Sequence, residues 1–468
     1  MSWRFASAKA GVLDPKGHRL IGLTLDTNEP ILAPKGHSLL LSAAGGGKTT
    51  RGAMPWLFSL AASEPEKAIL VLDSKDGEIA IQAAPMLARM GRKVAVIDDM
   101  GRWPELEPYR VSPNPFGAAV STYLRDGRDL IFANETISNT LIPEPSGGQD
   151  KNKHFRDVPR EVIEFCLTSM MERDPALATP GAVASILTNP DVLRTFAQSA
   201  SEEGSDMLQS QAQSLLEMVE AENWGQHLTE AKRSVRLFGP GTRLHDVGKA
   251  AEITHEDLIR EGYVVFLVGP QKHIGHLSNY YALHIMAFRD AVYEGAGALR
   301  ALCDEFTNTP LKELVASLTT LRAYGPTEIH MIAQSRSEIV RRFGEQECLT
   351  IEENAVVKLW FGFSSIEEAK RVSDAIGEQH AVASSLSGES GGMKTNTNLS
   401  LIKQKWFSEA ELMAMPPSRF LGHIKGVGYF MGQTLSQQNI APYCHLVDDN
   451  PLEGGTLSPE PTITLVTP

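Results

Sequence analysis

The sequence predicts an α/β fold with a central, mostly parallel sheet and an inserted all-α domain. Three observations predict it: short apolar runs that suit buried strands, helix-length segments between those runs, and a long central region dominated by helical signals. The chain has 468 residues, which is enough for about two or three domains with a sizeable core.

The N-terminal part alternates strand-like and helix-like segments. Its three strand-like runs lie at 38–43, 68–73 and 93–98. A helix is expected after Gly47 and another through Ile79–Met90, so the order is βαβαβ, which is typical of a parallel sheet covered by helices. From Arg102 to about Gly127, closely spaced Pro and Gly residues interrupt the pattern and indicate a domain boundary.

The rest of the chain is helical at first and then returns to strands. Predicted helices lie at Val158–Arg173, after Asn189-Pro190, and over Asp206–Trp224. Strand-like runs follow at 263–269, 300–306, 328–334 and 355–362. The composition of Ser384–Ser400 predicts a mobile loop, and that of Asn450–Pro468 a loose tail. The predicted division is 1–127 and 251–450 for the two parts of the sheet domain, 128–250 for the helical insertion, and 451–468 for the tail.

Composition and charge exclude several classes of protein. Apolar residues make up 42% of the chain and charged residues 22%, as in ordinary globular proteins. The net charge of −13 argues against a surface that coats nucleic acid non-specifically, although it is compatible with a confined basic channel.

The four cysteines are too far apart in sequence to indicate a zinc site or a disulfide framework: Cys166, Cys303, Cys348 and Cys444. No apolar run reaches the ~18 residues of a membrane span, and the start lacks the apolar stretch of a signal peptide, so a cytoplasmic protein is expected.

A phosphate-binding loop is predicted at SAAGGGKTT, residues 42–50, between a strand and a helix. Gly47, Lys48 and Thr49 match the template GxxxxGK(S/T), and Ser42 stands where the first glycine is expected. Lys48 would neutralise the β- and γ-phosphates of ATP, and Thr49 would ligate Mg²⁺. The alternative is a glycine-rich strand-to-helix turn whose lysine has no functional role. The predicted nucleotide-binding residues are Ser42, Ala43, Ala44, Gly45, Gly46, Gly47, Lys48, Thr49 and Thr50.

Three further segments supply candidate catalytic groups. Asp304 and Glu305 follow an apolar run, where Asp304 would hold Mg²⁺ and Glu305 would polarise the attacking water. Gln334 ends the next run and could sense the γ-phosphate or position water; alternatively it caps the helix that starts near Ser335. Arg322 precedes that run and could stabilise transition-state charge across a subunit boundary, or it could be a solvated arginine at a helix end.

The chain resembles the coupling-protein ATPases of type IV secretion, the TraG/TraD-like conjugative DNA-transfer family. The resemblance extends over roughly residues 10–450 and is carried by VLDSKDGEIA, GRKVAVIDD, SPNPFG, CDEFTN, LRAYGPTEIHMIAQSRSEIVRRFGE and VKLWFGFSSIEEAKRVSDAIGE. It implies a RecA-like P-loop motor of the FtsK/HerA type, assembled as a homohexamer, that hydrolyses ATP at subunit interfaces. The implied partners are single-stranded DNA or a relaxase–DNA complex and the components of the secretion channel.

One feature departs from that family. Its members usually begin with transmembrane helices, whereas here the phosphate loop lies about 40 residues from Met1. Docking at the inner membrane would then need a partner. Two other functions stay open: a nucleotide-switched adaptor that recruits proteins or a relaxase, and a related ring ATPase for DNA handling or packaging.

Overall fold

The structure is a computed structural model. It describes residues 12–13, 19–43, 45–144, 153–308, 312–324, 327–388, 395–452, 454 and 458–465. The strands are β1 Val12–Leu13, β2 Arg19–Leu23, β3 Pro30–Ala33, β4 Ser38–Ser42, β5 Ala68–Asp73, β6 Val94–Ile97, β7 Val264–Val268, β8 Leu299–Asp304, β9 Glu328–Ala333, β10 Val357–Phe361, β11 Glu378–Gly388, β12 Thr395–Lys405, β13 Arg419–Ile424, β14 Gly428–Gln433, β15 Ile440–Ala441 and β16 Ile463–Leu465.

The helices lie mainly between β4 and β10. They are α1 Met54–Ser63, α2 Glu78–Arg89, α3 Gly117–Arg125, α4 Leu130–Leu141, α5 His154–Arg173, α6 Pro180–Thr188, α7 Pro190–Glu203, α8 Asp206–Val219, α9 Trp224–Ser234, α10 His255–Arg260, α11 Ser278–Tyr293, α12 Lys312–Ser317, α13 Arg336–Phe343, α14 Glu345–Asn354, α15 Ile366–Ile376 and α16 Glu409–Met413.

An eleven-stranded sheet with the order β3-β2-β14-β13-β10-β4-β9-β8-β5-β7-β6 organises the molecule. The seven strands from β10 to β6 are parallel, and they are the seven runs that the sequence predicts. The other four strands extend the sheet in antiparallel fashion beyond β10. The predicted α/β class with a mostly parallel sheet is confirmed.

Both faces of the sheet are covered, as parallel strands require. Along β4, Leu39 and Leu41 join the core on one face and Leu40 joins the core on the other, because successive strand residues point to opposite sides. Helices α1 and α2 pack on the Leu40 face. The opposite face carries α11 and the helices that follow β6.

Helices α3–α10 occupy the chain between β6 and β7, and the described residues between those two strands form no strand of the sheet. Local sequence fixes their ends. Asn189 accepts hydrogen bonds at the start of α7, where Pro190 fits the first turn, and Thr254 and Asp257 form a capping box on α10. The predicted helix over Asp206–Trp224 is wrong in its length, because α8 ends at Val219 and α9 begins at Trp224. The division of the chain into domains stays a prediction.

The predicted mobile loop at Ser384–Ser400 is wrong over most of its length. Residues 384–388 and 395–400 belong to β11 and β12, which pair in antiparallel register from Glu378 with Lys405 to Gly388 with Thr395. Thr is common in strands, and a two-stranded ribbon satisfies its backbone through cross-strand hydrogen bonds. Residues 389–394 lie outside the described part of the chain.

The predicted loose tail is also wrong for three residues. Ile463–Leu465 forms β16, which lies between β1 and β15 in a small parallel sheet, and the side chains of Ile463 and Leu465 are buried. Burial of these two apolar side chains holds the segment against the rest of the fold. In the described residues, no helix has both the length and the apolar character that a bilayer-spanning segment needs.

Candidate active site

The predicted site residues converge at the carboxyl-terminal edge of the parallel sheet. Strands β4, β9, β8 and β5 are consecutive neighbours and run in one direction. Their last residues are Ser42, Ala333, Asp304 and Asp73, and the phosphate loop follows the first of them. This edge is where open α/β sheets bind ligands.

The three glycines give the loop after β4 a shape that other residues would not adopt easily. Gly45 and Gly47 have φ angles of 76° and 80°, in the left-handed region. A Cβ atom on Gly46 would lie 2.8 Å from the carbonyl oxygen of Phe361 and 2.5 Å from Oγ of Ser42. The buried Ser42 hydroxyl therefore occupies the space behind the loop, which explains why a small residue is required there.

A wide helical turn begins directly after the loop, at Lys48, and leads into α1. This turn places the side chain of Thr49 in the interior and leaves Thr50 half-buried. Ala43 is half-buried and accepts a hydrogen bond at its carbonyl from the backbone N–H of Gly46 (2.9 Å). Ala44 lies outside the described residues. The loop and the helix start have the form that binds phosphate through backbone N–H groups.

Lys48 and Glu305 form an ion pair across the site. Their side chains are only 13% and 12% exposed, so the pair is screened less by solvent than a surface pair would be. Gln334 donates from Nε2 to the same oxygen of Glu305 over 3.4 Å. The structure thus brings together the phosphate-loop lysine and two of the three predicted catalytic residues.

Glu305 has an unusual backbone conformation. Its φ angle is 52°, in the left-handed region that non-glycine residues rarely adopt. Its backbone N–H donates to the carboxylate of Asp304 (3.1 Å) and its carbonyl accepts from Asn308 (2.9 Å). Such conformations cost about 1 kcal/mol or more and concentrate at functional sites. Here the conformation follows the end of β8, where the chain turns into the site.

Asp304 lies beneath this ion pair and is buried. Thr49 donates from Oγ1 to its Oδ2 over 3.4 Å. Burial, together with the charge of Glu305, raises the pKa of Asp304 to about 6, while Lys48 acts in the opposite direction. A hydroxyl and a carboxylate are hard oxygen ligands that suit Mg²⁺. Among the described residues, no cluster of three or more His, Cys, Asp or Glu side chains forms a metal site on its own. Mg²⁺ would therefore depend on phosphate oxygens as well.

Replacement of Asp304 by Asn is expected to stabilise the fold while removing the predicted Mg²⁺ ligand. Because the pKa is raised in the folded protein, the buried carboxylate destabilises the fold above about pH 6, and protonation relieves this effect as the pH falls toward 4. At pH 7.5 the gain in free energy of unfolding should be on the order of 2–3 kcal/mol. Urea unfolding of both proteins at pH 7.5 and pH 4.5 tests this. An equal difference at both pH values would contradict the assignment.

Sequence reasoning missed a polar group beside Asp304, at the end of β5. Asp73 pairs in register with Asp304 and accepts from the backbone N–H groups of Ile79 and Ala80 at the start of α2. Burial raises the pKa of Asp73 well above its usual range, and the charge of Asp304 adds to this. The signal was available: the motif DSKDGE directly follows a strand-like run of the same sheet.

That motif also places a second lysine near the site. Lys75 donates to Glu78 over 2.7 Å, and the side chain of Glu78 is 1% exposed. Glu78 in turn accepts a hydrogen bond from Asn450 (2.8 Å). This last contact could not be read from the sequence because its partners are 372 positions apart.

Arg322 is not brought to Lys48 within the same chain. It lies in the turn Leu321–Ala323, which precedes β9 and is therefore on the amino-terminal side of the sheet. His37, which precedes β4, donates from Nε2 to the carbonyl of Leu318 (2.9 Å) and so holds the neighbouring segment on that side. The side chain of Arg322 lies outside the described atoms. Its role stays a prediction.

Comparisons with known proteins agree with this geometry. Residues 298–417, about a quarter of the chain, match the family described as the TraM recognition site of TraD and TraG. This segment includes Asp304, Glu305, Arg322 and Gln334. A search of curated proteins finds no match.

Solved structures share the fold over most of the chain. The conjugative coupling protein TrwB lacking its first 70 residues has a TM-score of 0.61 at 14% identity, and the alignment covers 88% of each chain. TrwB in complex with ADP and Mg²⁺ has a TM-score of 0.55 at 14% identity, over 92% of this chain and 87% of that one. VirB4 of Thermoanaerobacter pseudethanolicus has a TM-score of 0.53 at 12% identity, over 93% and 99%. The predicted resemblance is confirmed: the chain has the RecA-like fold of the conjugative coupling proteins and is similar in sequence to TraD and TraG over residues 298–417.

Proposed function

We propose that this chain is an ATP-hydrolysing coupling protein that recruits single-stranded DNA, or a nucleoprotein or protein substrate, and moves it to a type IV secretion channel. The observation that carries the proposal is the convergence of Lys48, Asp304, Glu305 and Gln334 at one edge of a sheet with the coupling-protein fold.

The phosphate loop would bind ATP. The backbone N–H groups at the start of the wide helical turn would bind the phosphates, and Lys48 would supply the positive charge for the β- and γ-phosphates. Because Lys48 already pairs with Glu305, phosphate and Glu305 compete for the same ammonium group. ATP binding therefore opens this pair and releases the carboxylate of Glu305. Mg²⁺ would be held by Thr49 and Asp304, where it neutralises phosphate charge.

Hydrolysis would use the released carboxylate. Glu305 accepts a proton from water as the water oxygen bonds to the γ-phosphorus and the bond to the β,γ-bridging oxygen breaks, leaving ADP and phosphate. Gln334, which donates to Glu305, holds the carboxylate in place and can reach the same water. The left-handed backbone of Glu305 fixes the direction of its side chain.

Glu305→Gln should trap ATP. The amide keeps the shape of the side chain and cannot accept the proton, while Lys48, Thr49 and Asp304 are unchanged. We expect bound ATP to survive gel filtration of the variant and turnover to fall by about 10²- to 10⁴-fold. Glu409→Gln, on α16, is the matched control, because the half-buried Glu409 also pairs with a lysine, Lys405. Loss of both binding and turnover in Glu305→Gln would mean that the residue is structural.

The proposed partners follow from the family segment and the charge. Residues 298–417 match a segment named for TraM recognition in TraD and TraG, which supports a relaxosome-linked role with relaxase-bound DNA and channel components as partners. The net charge of −13 favours DNA contact in a confined channel, such as the pore of a homohexamer, over contact along the outer surface. A partner protein would dock the motor at the inner membrane.

Steady-state ATPase assays with and without single-stranded DNA test the proposal. Turnover that rises with single-stranded DNA, and that is lost in Glu305→Gln, supports a translocating motor. Tight ATP binding without turnover under either condition would instead identify a nucleotide-switched adaptor. Stimulation by duplex DNA alone would point to a ring ATPase for DNA handling or packaging.

A further inference from the structure

A cavity lies among helices α3, α4, α10 and α11, and none of its lining residues belongs to the candidate nucleotide site. It has a volume of about 390 Å³. The space exists because small residues face one another there, namely Gly117, Ala118, Ala133, Ala287 and Ala291. Cavities of this size accommodate one large side chain with part of its backbone.

The floor of the cavity holds an unpartnered polar atom. His255 lines the cavity, is only 3% exposed, and its Nδ1 has no hydrogen-bond partner. A Cβ atom on Gly117 would lie 3.8 Å from this Nδ1, so the atom faces the side on which α3 lines the cavity. The other ring nitrogen, Nε2, is 2.9 Å from Nδ1 of His284. When Nε2 donates to His284, Nδ1 of His255 presents a lone pair to the cavity.

Charge and shape define what the cavity would accept. Four carboxylates and one guanidinium line it: Asp129, Glu256, Asp290, Glu294 and Arg125. Three of the carboxylates already pair with arginines: Glu294 with Arg125, Glu256 with Arg260 and Asp290 with Arg289. Among the described residues Asp129 forms no ion pair, so its charge favours a cation, and the small apolar walls favour a long apolar stem behind that cation.

The rim favours a protein over a small molecule. Phe132 lines the cavity and is 65% exposed, and two neighbouring apolar side chains, Ile131 and Leu124, are 46% and 68% exposed. Exposed apolar residues grouped beside a cavity are typical of protein-binding surfaces. A free polyamine would leave these side chains in water.

We propose that this cavity binds an arginine side chain of a protein partner, with an apolar residue next to that arginine packing on Phe132. The arginine stem would lie along the small residues of α3, α4 and α11. The guanidinium would donate to the carboxylate of Asp129 and to Nδ1 of His255. The site joins the inserted helices to α11 of the sheet domain, and its occupation does not depend on ATP hydrolysis.

Fluorescence anisotropy with the full chain, without nucleotide, tests the proposal. The probe is a fluorescein-labelled peptide of sequence GLRFG, and the matched probe has citrulline in place of arginine, which keeps the shape and removes the charge. We expect the arginine peptide to bind at least about tenfold more tightly, and added salt to reduce the difference. Equal binding of the two peptides, or no binding of either, would overturn the proposal.

Variants locate the binding site. Ser121→Trp fills the cavity from α3 and should abolish binding of the arginine peptide. Ser185→Trp is the matched control, because Ser185 is also half-buried and lines a separate cavity of about 410 Å³ in the helical region. Loss of binding in Ser185→Trp alone would overturn the assignment.

Two further measurements test the proposal independently of Ser121→Trp. The variant Asp129→Asn changes charge without filling the cavity, and it should weaken binding about tenfold or more even if Ser121→Trp does not fold. Unchanged binding in Asp129→Asn would contradict the proposal. Displacement of the peptide by equimolar spermidine would identify a polyamine site instead of a protein-binding site.

Discussion

Lys48→Ala is expected to lower ATP turnover by on the order of 10²- to 10³-fold or more, because the variant loses the main positive charge facing the β- and γ-phosphates. The fold should be retained. The side chain of Lys48 is paired with Glu305 at the edge of the sheet and is not part of either apolar core. Steady-state phosphate release measures the effect, and thermal melting checks the fold.

Lys67→Ala is the matched control for this experiment. It removes the same charge from a partly exposed lysine that pairs with Glu64, and it precedes β5 on the opposite side of the sheet. Lys67→Ala should turn over ATP at the rate of the unmodified chain. If Lys48→Ala did the same, residues 42–50 would be a glycine-rich turn with no role in hydrolysis.

Arg322→Ala is expected to lower turnover by about 10³- to 10⁵-fold, the usual effect of removing an arginine finger. The turn that carries Arg322 lies on the amino-terminal side of the sheet, whereas Lys48 lies on the carboxyl-terminal side, so the guanidinium could act only on a neighbouring subunit. A neighbour in a ring could present its Arg322 to the phosphates bound by Lys48.

Mixing two inactive variants separates action across the interface from a local structural role. In a randomly mixed ring of Arg322→Ala and Lys48→Ala subunits, about a quarter of the interfaces pair an intact phosphate loop with an intact arginine. Partial ATPase activity should therefore return. If mixed rings form, as shown by differently tagged subunits purifying together, and activity stays absent at every ratio, Arg322 does not act on the neighbouring site.

The parallel half of the sheet could be predicted because its signals are local. Its strands are predominantly apolar runs, interrupted by single polar residues such as Arg300, His330 and Lys358, as expected for strands buried on both faces. The antiparallel half has no comparable signal. Strand β2 includes Gly22, and β14 joins it through the pairing of Gln433 with Leu23, whose partners are far apart in the sequence. Arg19 on β2 is buried and hydrogen-bonded to His330, a contact that only the folded chain reveals.

Most residues of the candidate site could be predicted, although Asp73 was missed, but the electrostatics of the site could not. The phosphate loop and the Asp304-Glu305 pair follow from motif and strand position, and their meeting follows from the parallel sheet. The pairing of Lys48 with Glu305 and the raised pKa of Asp304 depend on burial and on distances between side chains. Composition misled for Ser384–Ser400, because a ribbon held by cross-strand backbone hydrogen bonds does not need apolar side chains.

The place at which helices α3–α10 leave and rejoin the sheet has an evolutionary consequence. They depart after β6, the strand at the edge, and return at β7, its immediate neighbour. Both attachment points are therefore at one border of the sheet. Strand β5 separates them from β4, β9 and β8. Evolution could exchange or remodel these helices without altering the register of the strands that position Lys48 and Asp304. Selection on the surface of the helices and selection on the candidate nucleotide site can then act separately within one chain.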